Sequence, residues 1–351
     1  MIAIIRKQSR ALQRFLGRCA VLIPLACAGP LPVQAQDYTV TNLVADVPGA
    51  ANLDTNLVNA WGLVVLSQNK LIVNANENSI AGLYGTDGQP AGSYLAVDSA
   101  PSGLIWNHTR GFKVSDGEKS RPSTLIFVTE EGKILGWNED FADPTAVVAV
   151  DNSGFDAVYK GVAMIGNRLF AADFKGGVID IYDSKWNWLG AFTDSHVDEG
   201  FGPFNVAAVN GLLYVTFAKR LAPDFHDDEA GPGNGFVDVF NANGRFLRRL
   251  VSHGVLNSPW GIAQAPAKFG RFSKALLVGN FGDGTINAFD INTGSYLGTL
   301  SDSTSVPLVI DGLWALDFGT TKVGMKSIPA LFFSAGPGGE GHGLVGKITA
   351  N

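Results

Sequence analysis

An acidic segment in the middle of the chain carries the clearest candidates for chemistry. It contains Asp224, His226, Asp227, Asp228 and Glu229. Carboxylate oxygens are the ligands that Ca²⁺ prefers, and an imidazole that titrates near neutral pH can act as a general base. The segment therefore predicts a site with Asp227 and Asp228 as metal ligands and His226 as the catalytic base. A solvated acidic loop and a contact surface for a partner are the other two interpretations.

A second set of candidates lies in six short sequences that open a repeat, roughly 40 to 60 residues apart, the spacing of propeller blades. The openings are residues 59–63, 101–104, 159–162, 203–206, 259–262 and 311–314. Aligning them places one residue of each at an equivalent level facing a central axis: Trp61, Ser102, Lys160, Phe204, Trp260 and Asp311. Asn59 and Asn205 lie beside this level.

This level offers both catalytic and binding groups. Asn59, Asn205 and Asp311 form a predicted oxygen-ligand set for Ca²⁺. Lys160 and Asp311 are candidate catalytic residues, because a buried lysine shifts its pKa readily. The rings predicted to contact a ligand are those of Trp61, Phe204 and Trp260. The alternative is that these aromatic rings plug a narrow shaft and that Lys160 and Asp311 form an ordinary buried ion pair.

The elements that must position these residues are short strands. Each opening begins an apolar strand, which a second strand, a Gly, Asn or Asp turn and a third strand follow. With 43 glycines, 22 phenylalanines and only 17% charged residues among 351, the composition also favours many strands with tight turns. The sequence predicts an all-β, six-bladed β-propeller with NHL-like repeats. Because the last blade lacks an outer strand, we expect residues 38–44 to supply it and close the ring.

One face of such a propeller carries the openings together with the turns between the second and third strands. Loops on a rigid scaffold are the usual place for binding groups. Three further ligand-binding candidates lie in these turns, namely Asp173, Asn280 and Asp283. The acidic segment is the longest of the turns, so both sets of candidates are expected on one rim.

The first 35 residues read as a signal peptide rather than as part of the fold, and residues 36–351 as the propeller. The basic residues Arg6, Lys7, Arg10, Arg14 and Arg18 precede an apolar run and the small-residue site 33–35. Cleavage would remove both cysteines and make the formal net charge of −6 more negative. An acidic surface disfavours nucleic acid as a partner. We expect an exported monomer, periplasmic or secreted, with no membrane span after cleavage.

Several longer stretches carry a resemblance to a known family. They are NAWGL at 59–63, GPGNG at 231–235, LVGNFGDG at 277–284 and FFSAGP at 332–337. The chain resembles an uncharacterised bacterial family of exported six-bladed propellers, many of which end in a PEP-CTERM sorting tail. The resemblance implies a propeller fold and export. This chain departs from the family pattern because no such tail precedes Asn351, so we expect no surface anchoring.

A more distant similarity is to the calcium-dependent phosphotriesterase and lactonase propellers. That group holds Ca²⁺ with asparagine and acidic residues at the starts of inner strands, where this chain has Trp61, Phe204 and Trp260. Two hypotheses follow. One is a metal-assisted hydrolase of lactones or esters that uses Ca²⁺, and the other is a non-catalytic propeller that binds a small molecule, an extracellular polymer or a partner protein.

Overall fold

The computed structural model describes residues 37–66, 70–323 and 326–351, so the predicted signal peptide lies outside the described residues. Over these residues the chain forms 27 β-strands and two single-turn 3₁₀ helices, Ser153–Phe155 and Gly270–Phe272. None of the helices in the described part of the chain has the length and apolar character needed to cross a membrane.

Six antiparallel blades contain nearly all of these strands, and their first strands contact one another in a ring. Blade one is β3 (Ala60–Leu66), β4 (Lys70–Ala75), β5 (Ile80–Gly85) and β6 (Leu95–Ala96). Blade two is β7 (Pro101–Trp106), β10 (Leu125–Thr129), β11 (Lys133–Trp137) and β12 (Val147–Asp151), with the hairpin β8 (Lys113–Ser115) and β9 (Ser120–Pro122) inserted after β7. Blade three is β13 (Tyr159–Ile165), β14 (Arg168–Asp173), β15 (Val178–Asp183) and β16 (Trp188–Phe192).

The remaining three blades follow the same plan. Blade four is β17 (Phe201–Val209), β18 (Leu212–Lys219), β19 (Phe236–Phe240) and β20 (Phe246–Ser252). Blade five is β21 (Pro259–Gln264), β22 (Leu276–Asn280), β23 (Ile286–Phe289) and β24 (Tyr296–Thr299). Blade six is β25 (Leu313–Val323), β26 (Lys326–Ala335), β27 (Leu344–Ala350) and β1 (Tyr38–Ala45), to which β2 (Asn52–Leu53) adds in parallel. The predicted six-bladed propeller is confirmed.

The N-terminal strand closes the ring, as predicted. β1 pairs antiparallel with β27 from Tyr38 opposite Ala350 to Ala45 opposite Leu344. The Tyr38 hydroxyl donates a hydrogen bond to the Phe269 carbonyl at 3.2 Å and accepts one from the Phe272 amide at 3.1 Å. The strand is therefore fixed to blade five as well as to blade six.

The first strand of every blade carries a one-residue bulge near its start. At each one the register with the second strand shifts, and the first strand has one more residue than its partner. A bulge re-aims side chains at a fixed point of a sheet. The bulges include Trp61, Ser102, Lys160, Phe204, Trp260 and Trp314.

The alignment of Asp311 with this level was wrong, because Trp314 holds the sixth position. Asp311 precedes β25, is exposed, and its Oδ2 accepts a hydrogen bond from the Gly338 amide at 2.9 Å. Gly312, at φ +64°, turns the chain between Asp311 and the strand. The Asp-Gly pair therefore forms a turn, and the sixth residue of the level, Trp314, lies three residues after Asp311.

The openings and the rim turns lie on one face, as expected. In every blade an amide at the turn between the second and third strands donates to a carbonyl at the opening of that blade. These bonds are Asn76 to Asn59, Glu130 to Ala100, Phe174 to Val158, Arg220 to Gly200, Phe281 to Ser258 and Gly336 to Gly312. The turns are thus attached to the ends of the inner strands, around the mouth of the shaft.

Candidate functional site

A layer of aromatic rings closes the shaft just below its mouth. Trp61 stacks on Trp314 with ring centroids 3.7 Å apart, and Phe281 stacks on Trp314 at 3.9 Å. Trp260 and Phe204 meet the same ring edge-on at 5.9 Å and 5.8 Å. Four of these rings are buried, and Phe281 is partly buried against them. The three aromatic residues that the sequence offered as ligand contacts therefore all pack against Trp314.

Lys160 is the one charged residue among the bulges, and it is 2% exposed. Its ammonium donates to Glu130 Oε1, lies 3.5 Å from Asp227 Oδ1 and lies 5.1 Å from the centroid of the Trp61 ring. Burial lowers the pKa of Lys160, but the Glu130 and Asp227 carboxylates more than offset it, so that the pKa is raised. Lys160 therefore stays an ammonium, paired with these two acids rather than with Asp311.

His226 and Asp227 form a hydrogen-bonded pair above Lys160. The distance from His226 Nδ1 to Asp227 Oδ1 is 2.9 Å. The hydrogen bond from His226, with help from the charge of Lys160, lowers the pKa of Asp227 to about 2. The same hydrogen bond raises the pKa of His226 above its usual value. An anionic Asp227 thus orients the imidazole and stabilises its protonated form.

Two asparagines and a further glutamate extend the hydrogen-bond network from Glu130. Asn76 Nδ2 donates to Glu130 Oε2 at 2.9 Å, and Asn59 Nδ2 donates to Glu340 Oε2 at 2.7 Å. Burial raises the pKa of Glu340 to about 6. Asn59 Oδ1 accepts a hydrogen bond from Trp314 Nε1 at 3.0 Å, which ties this group to the aromatic layer.

We call these seven residues the polar cup: Asn59, Asn76, Glu130, Lys160, His226, Asp227 and Glu340. They come from five blades. Lys160 lies at the bulge of blade three, and Glu130, His226, Asp227 and Glu340 lie on the rim turns of blades two, four and six. One ligand atom each of Glu130, His226 and Asp227 lies within 4.8 Å of the others, which makes them a possible metal-binding triad. The aromatic layer is the floor of the cup.

Sequence reasoning named Asn59, Lys160, His226 and Asp227 but missed Asn76, Glu130 and Glu340. All three lie on turns that the sequence had already placed on the rim. Glu130 and Glu340 become functional candidates only through their contacts with Lys160 and Asn59, and Asn76 only through its hydrogen bond to Glu130, and each of these partners lies in another part of the sequence.

The remaining predicted metal ligands lie outside the cup. Asn205 donates from Nδ2 to the Trp260 carbonyl at 2.8 Å and accepts from the Val206 amide, so its polar atoms serve the inner strands. Asp311 occupies the exposed turn already described. In the described part of the chain no hydrogen bond joins Asn59, Asn205 and Asp311. Asp228 lies next to the cup, and burial raises the pKa of its carboxyl.

The three candidates on other rim turns have structural partners. Asp173 Oδ1 accepts hydrogen bonds from the Val158 and Gly176 amides at 3.1 Å and 2.9 Å. Asn280 Nδ2 donates to the Val255 carbonyl at 2.7 Å, and Asp283 Oδ1 accepts from the Thr285 amide at 3.0 Å. These contacts hold turns in place, while Asp173 also lines a groove on blade three.

A separate cavity of about 310 Å³ lies along the inner strands. Its walls are mostly apolar, with Asn205 and Asp317 among the polar groups. Asp317 Oδ2 accepts a hydrogen bond from the Val65 amide at 2.8 Å, and burial raises the pKa of Asp317 to about 6. Trp260 lines this cavity and also belongs to the aromatic layer under the cup.

Comparison with known proteins identifies relatives of similar length. The chain is 35% identical to the uncharacterized protein L690 of Acanthamoeba polyphaga mimivirus over 318 residues, 86% of this chain and 82% of that protein. It is 31% identical to the uncharacterized protein R648 of the same virus over 351 residues, 95% of this chain and 85% of that one. No family model matches the chain.

Solved structures share the propeller architecture at low sequence identity. A luciferin-regenerating enzyme superposes with a TM-score of 0.56 at 13% identity, over 89% of this chain and 95% of that one. A virginiamycin B lyase from Staphylococcus aureus superposes with a TM-score of 0.51 at 10% identity, over 89% of this chain and 99% of that one. At these identities the likeness concerns the fold.

Proposed function

We propose a hydrolytic function for this chain, which belongs to the family of the mimivirus proteins L690 and R648. The reaction proposed is hydrolysis of a neutral carboxylic ester or lactone in the polar cup. The observation that carries the proposal is the His226–Asp227 pair, held at 2.9 Å directly above the buried Lys160–Glu130 pair.

His226 acts as the base and then as the acid. With Nδ1 directed at Asp227, its Nε2 is the nitrogen that takes a proton from water, and the imidazolium then passes that proton to the leaving alkoxide. The water oxygen forms the new bond to the carbonyl carbon as the bond to the alkoxide oxygen breaks. Asp227, ionised because of its low pKa, keeps the imidazole in this orientation.

The charge of the cup favours a neutral substrate. Glu130, Asp227 and Glu340 outnumber Lys160, so an anionic phosphate ester would be repelled. The proposed nucleophile is water, because none of the seven cup residues is a cysteine.

The donor set of the cup also fits a hard divalent cation, for which we propose Ca²⁺. Carboxylate oxygens of Glu130 and Asp227 would hold it, next to the amide groups of Asn59 and Asn76. When bound, such an ion supplies Lewis-acid polarisation of a carbonyl oxygen. The Lys160 ammonium competes for the same oxygens, so the cup already contains one cation of its own.

Turnover of defined substrates tests the proposal. The purified full-length protein is assayed by pH-stat against γ-butyrolactone, δ-valerolactone and phenyl acetate, in the presence of Ca²⁺ and in the presence of a chelator. The two lactones differ in ring size, and phenyl acetate is an open-chain ester. We expect His226→Gln to lower kcat/KM by about 10²–10⁴-fold, the usual contribution of a general base. No turnover of any of the three by the wild type would overturn the hydrolase.

A matched control comes from another histidine–aspartate pair. His196 Nδ1 lies 2.9 Å from Asp194 Oδ1, the same distance as in the cup, but in the connection between blades three and four. His196→Gln should leave kcat/KM unchanged. Equal losses in both variants would indicate a general effect on folding and would remove His226 as the base.

A non-catalytic binding role is the second candidate, supported by the dense pairing that already occupies the cup residues. A rise in Tm with Ca²⁺ in the absence of turnover would favour it.

We also propose that the protein is exported, which the basic and apolar composition of the first 35 residues supports. Secretion of a fusion carrying residues 1–35, compared with one lacking them, tests the export proposal.

A further inference from the structure

A groove of about 570 Å³ on blade three lies apart from the polar cup and shares no residue with it. Four aromatic side chains and three carboxylate or amide side chains line it, namely Phe155, Tyr182, Trp186, Trp188, Asn152, Asp173 and Asp180. Phe155 is 86% exposed and Trp188 is 60% exposed, although large apolar rings are normally covered. The groove is within the size range of small-molecule sites.

The polar side of the groove is held rigidly by hydrogen bonds. Asp180 accepts one from Trp188 Nε1 at 2.9 Å and one from the Tyr159 hydroxyl at 2.8 Å. Asn152 Nδ2 donates to the Tyr159 and Tyr182 hydroxyls at 2.6 Å and 2.7 Å. These bonds use the side-chain nitrogen Nδ2 of Asn152. Its side-chain oxygen Oδ1 has no hydrogen-bond partner within the described residues.

Trp186 adopts a backbone conformation that is unfavourable for a bulky residue, with φ +69°. It is held there by the inserted hairpin of blade two, since Trp186 Nε1 donates to the Lys113 carbonyl at 2.8 Å and the ring meets Phe112 edge-on at 5.1 Å. Such strain persists only where surrounding contacts impose it, and it is concentrated at binding sites. The hairpin thus fixes one wall of the groove.

We propose that this groove binds a neutral saccharide. The C–H faces of a sugar ring pack on exposed aromatic rings, and its hydroxyls donate to carboxylate and amide oxygens such as those of Asp173, Asp180 and Asn152. An anionic ligand would be repelled by the two aspartates. A purely apolar segment would bury Asn152 Oδ1 without giving it a hydrogen bond, which is costly.

Calorimetric titration with cellohexaose, chitohexaose and maltohexaose tests the proposal on the full-length protein. We expect the wild type to bind at least one of them, with a shift in tryptophan fluorescence. Trp188→Ala and Phe155→Ala should each weaken binding at least tenfold, while Trp188→Phe should retain most of it because the stacking surface remains. The proposal is overturned if the wild type binds none of the three sugars, or if Trp188→Ala binds them with unchanged affinity.

Two controls separate this site from others. Trp106→Ala removes a tryptophan that is 44% exposed but lies on blade two outside the groove, and it should bind as the wild type does. His226→Gln, which disables the proposed hydrolase, should also leave sugar affinity unchanged. Loss of binding in His226→Gln would place the sugar in the cup and would contradict a separate site.

Discussion

Trp61 and Trp314 stack with ring centroids 3.7 Å apart and planes inclined by 13°. They belong to the first and last blades, whose inner strands become neighbours only when the ring closes. The stacked pair therefore stabilises the closure of the ring between blades six and one, as the pairing of β1 with β27 does. It also forms the floor under Asn59, which accepts the hydrogen bond from Trp314 Nε1.

We expect Trp314→Ala to lower the free energy of unfolding by about 3–5 kcal/mol, the usual cost of truncating a large buried aromatic residue. The variant loses contacts with Trp61, Phe281, Phe204 and Trp260 and leaves Asn59 Oδ1 without its donor. Urea unfolding followed by circular dichroism measures the change. Trp106→Ala, at an exposed site, should change it far less; a similar loss in both variants would contradict the structural role given to Trp314.

The His226–Asp227 pair predicts a pH dependence with a definite sign. Asp227 stabilises the imidazolium, so the pKa of His226 is raised, and a basic imidazole becomes available only above that pKa. In Asp227→Asn the anion is lost, so the pKa of His226 should fall. The rising limb of kcat/KM should then move to lower pH, with a lower plateau.

Titration of the His226 ring proton by NMR checks this shift whether or not a substrate is known. His196 serves as an internal reference in the same spectra, since Asp194 is retained in the variant. An unchanged pKa of His226 in Asp227→Asn would show that the two side chains do not interact in solution.

We expect the Lys160 ammonium to compete with a metal ion for the carboxylates of Glu130 and Asp227. In Lys160→Gln, Glu130 loses its buried partner, and we expect a loss of about 3–5 kcal/mol of stability, as for other broken buried ion pairs. Ca²⁺ can then neutralise Glu130 and Asp227 in its place, so the increase of Tm with Ca²⁺ should be larger in the variant than in the wild type. Differential scanning fluorimetry at several Ca²⁺ concentrations measures both effects. Equal calcium shifts in the two proteins would argue against a cation site at Glu130 and Asp227.

The fold could be predicted because it is repeated, whereas the site could not be predicted fully because it is not. Six openings spaced alike identify a propeller, and an unpaired segment before the first blade identifies the closing strand. Asp311 was misaligned because an Asp-Gly turn precedes the sixth bulge, and bulge position depends on strand pairing rather than on local sequence. Glu130 and Glu340 gain their role from partners in other blades, a relationship that spacing along the chain does not contain.

We expect Arg249 to stabilise blade four through its ion pairs with Asp194 and Asp238. Its guanidinium bonds Asp194 Oδ2 at 2.6 Å and Asp238 Oδ1 at 2.9 Å, and it lies 4.3 Å from the centroid of the Phe236 ring. Asp238 is fully buried, and burial raises its pKa to about 6 despite the arginine. Arg249→Met leaves two buried carboxyl groups without a cation, so we expect a loss of about 3–5 kcal/mol at pH 7.

The loss in Arg249→Met should shrink as the pH falls through the raised pKa of Asp238, because protonation removes the uncompensated charge. Urea unfolding at pH 5 and pH 8 measures the difference. Arg121→Met is the matched control, since Arg121 lies 3.6 Å from Asp140 with both side chains exposed, and such a surface pair contributes about 0–1 kcal/mol. A loss in Arg249→Met no greater than in Arg121→Met would show that Asp194 and Asp238 do not depend on the arginine.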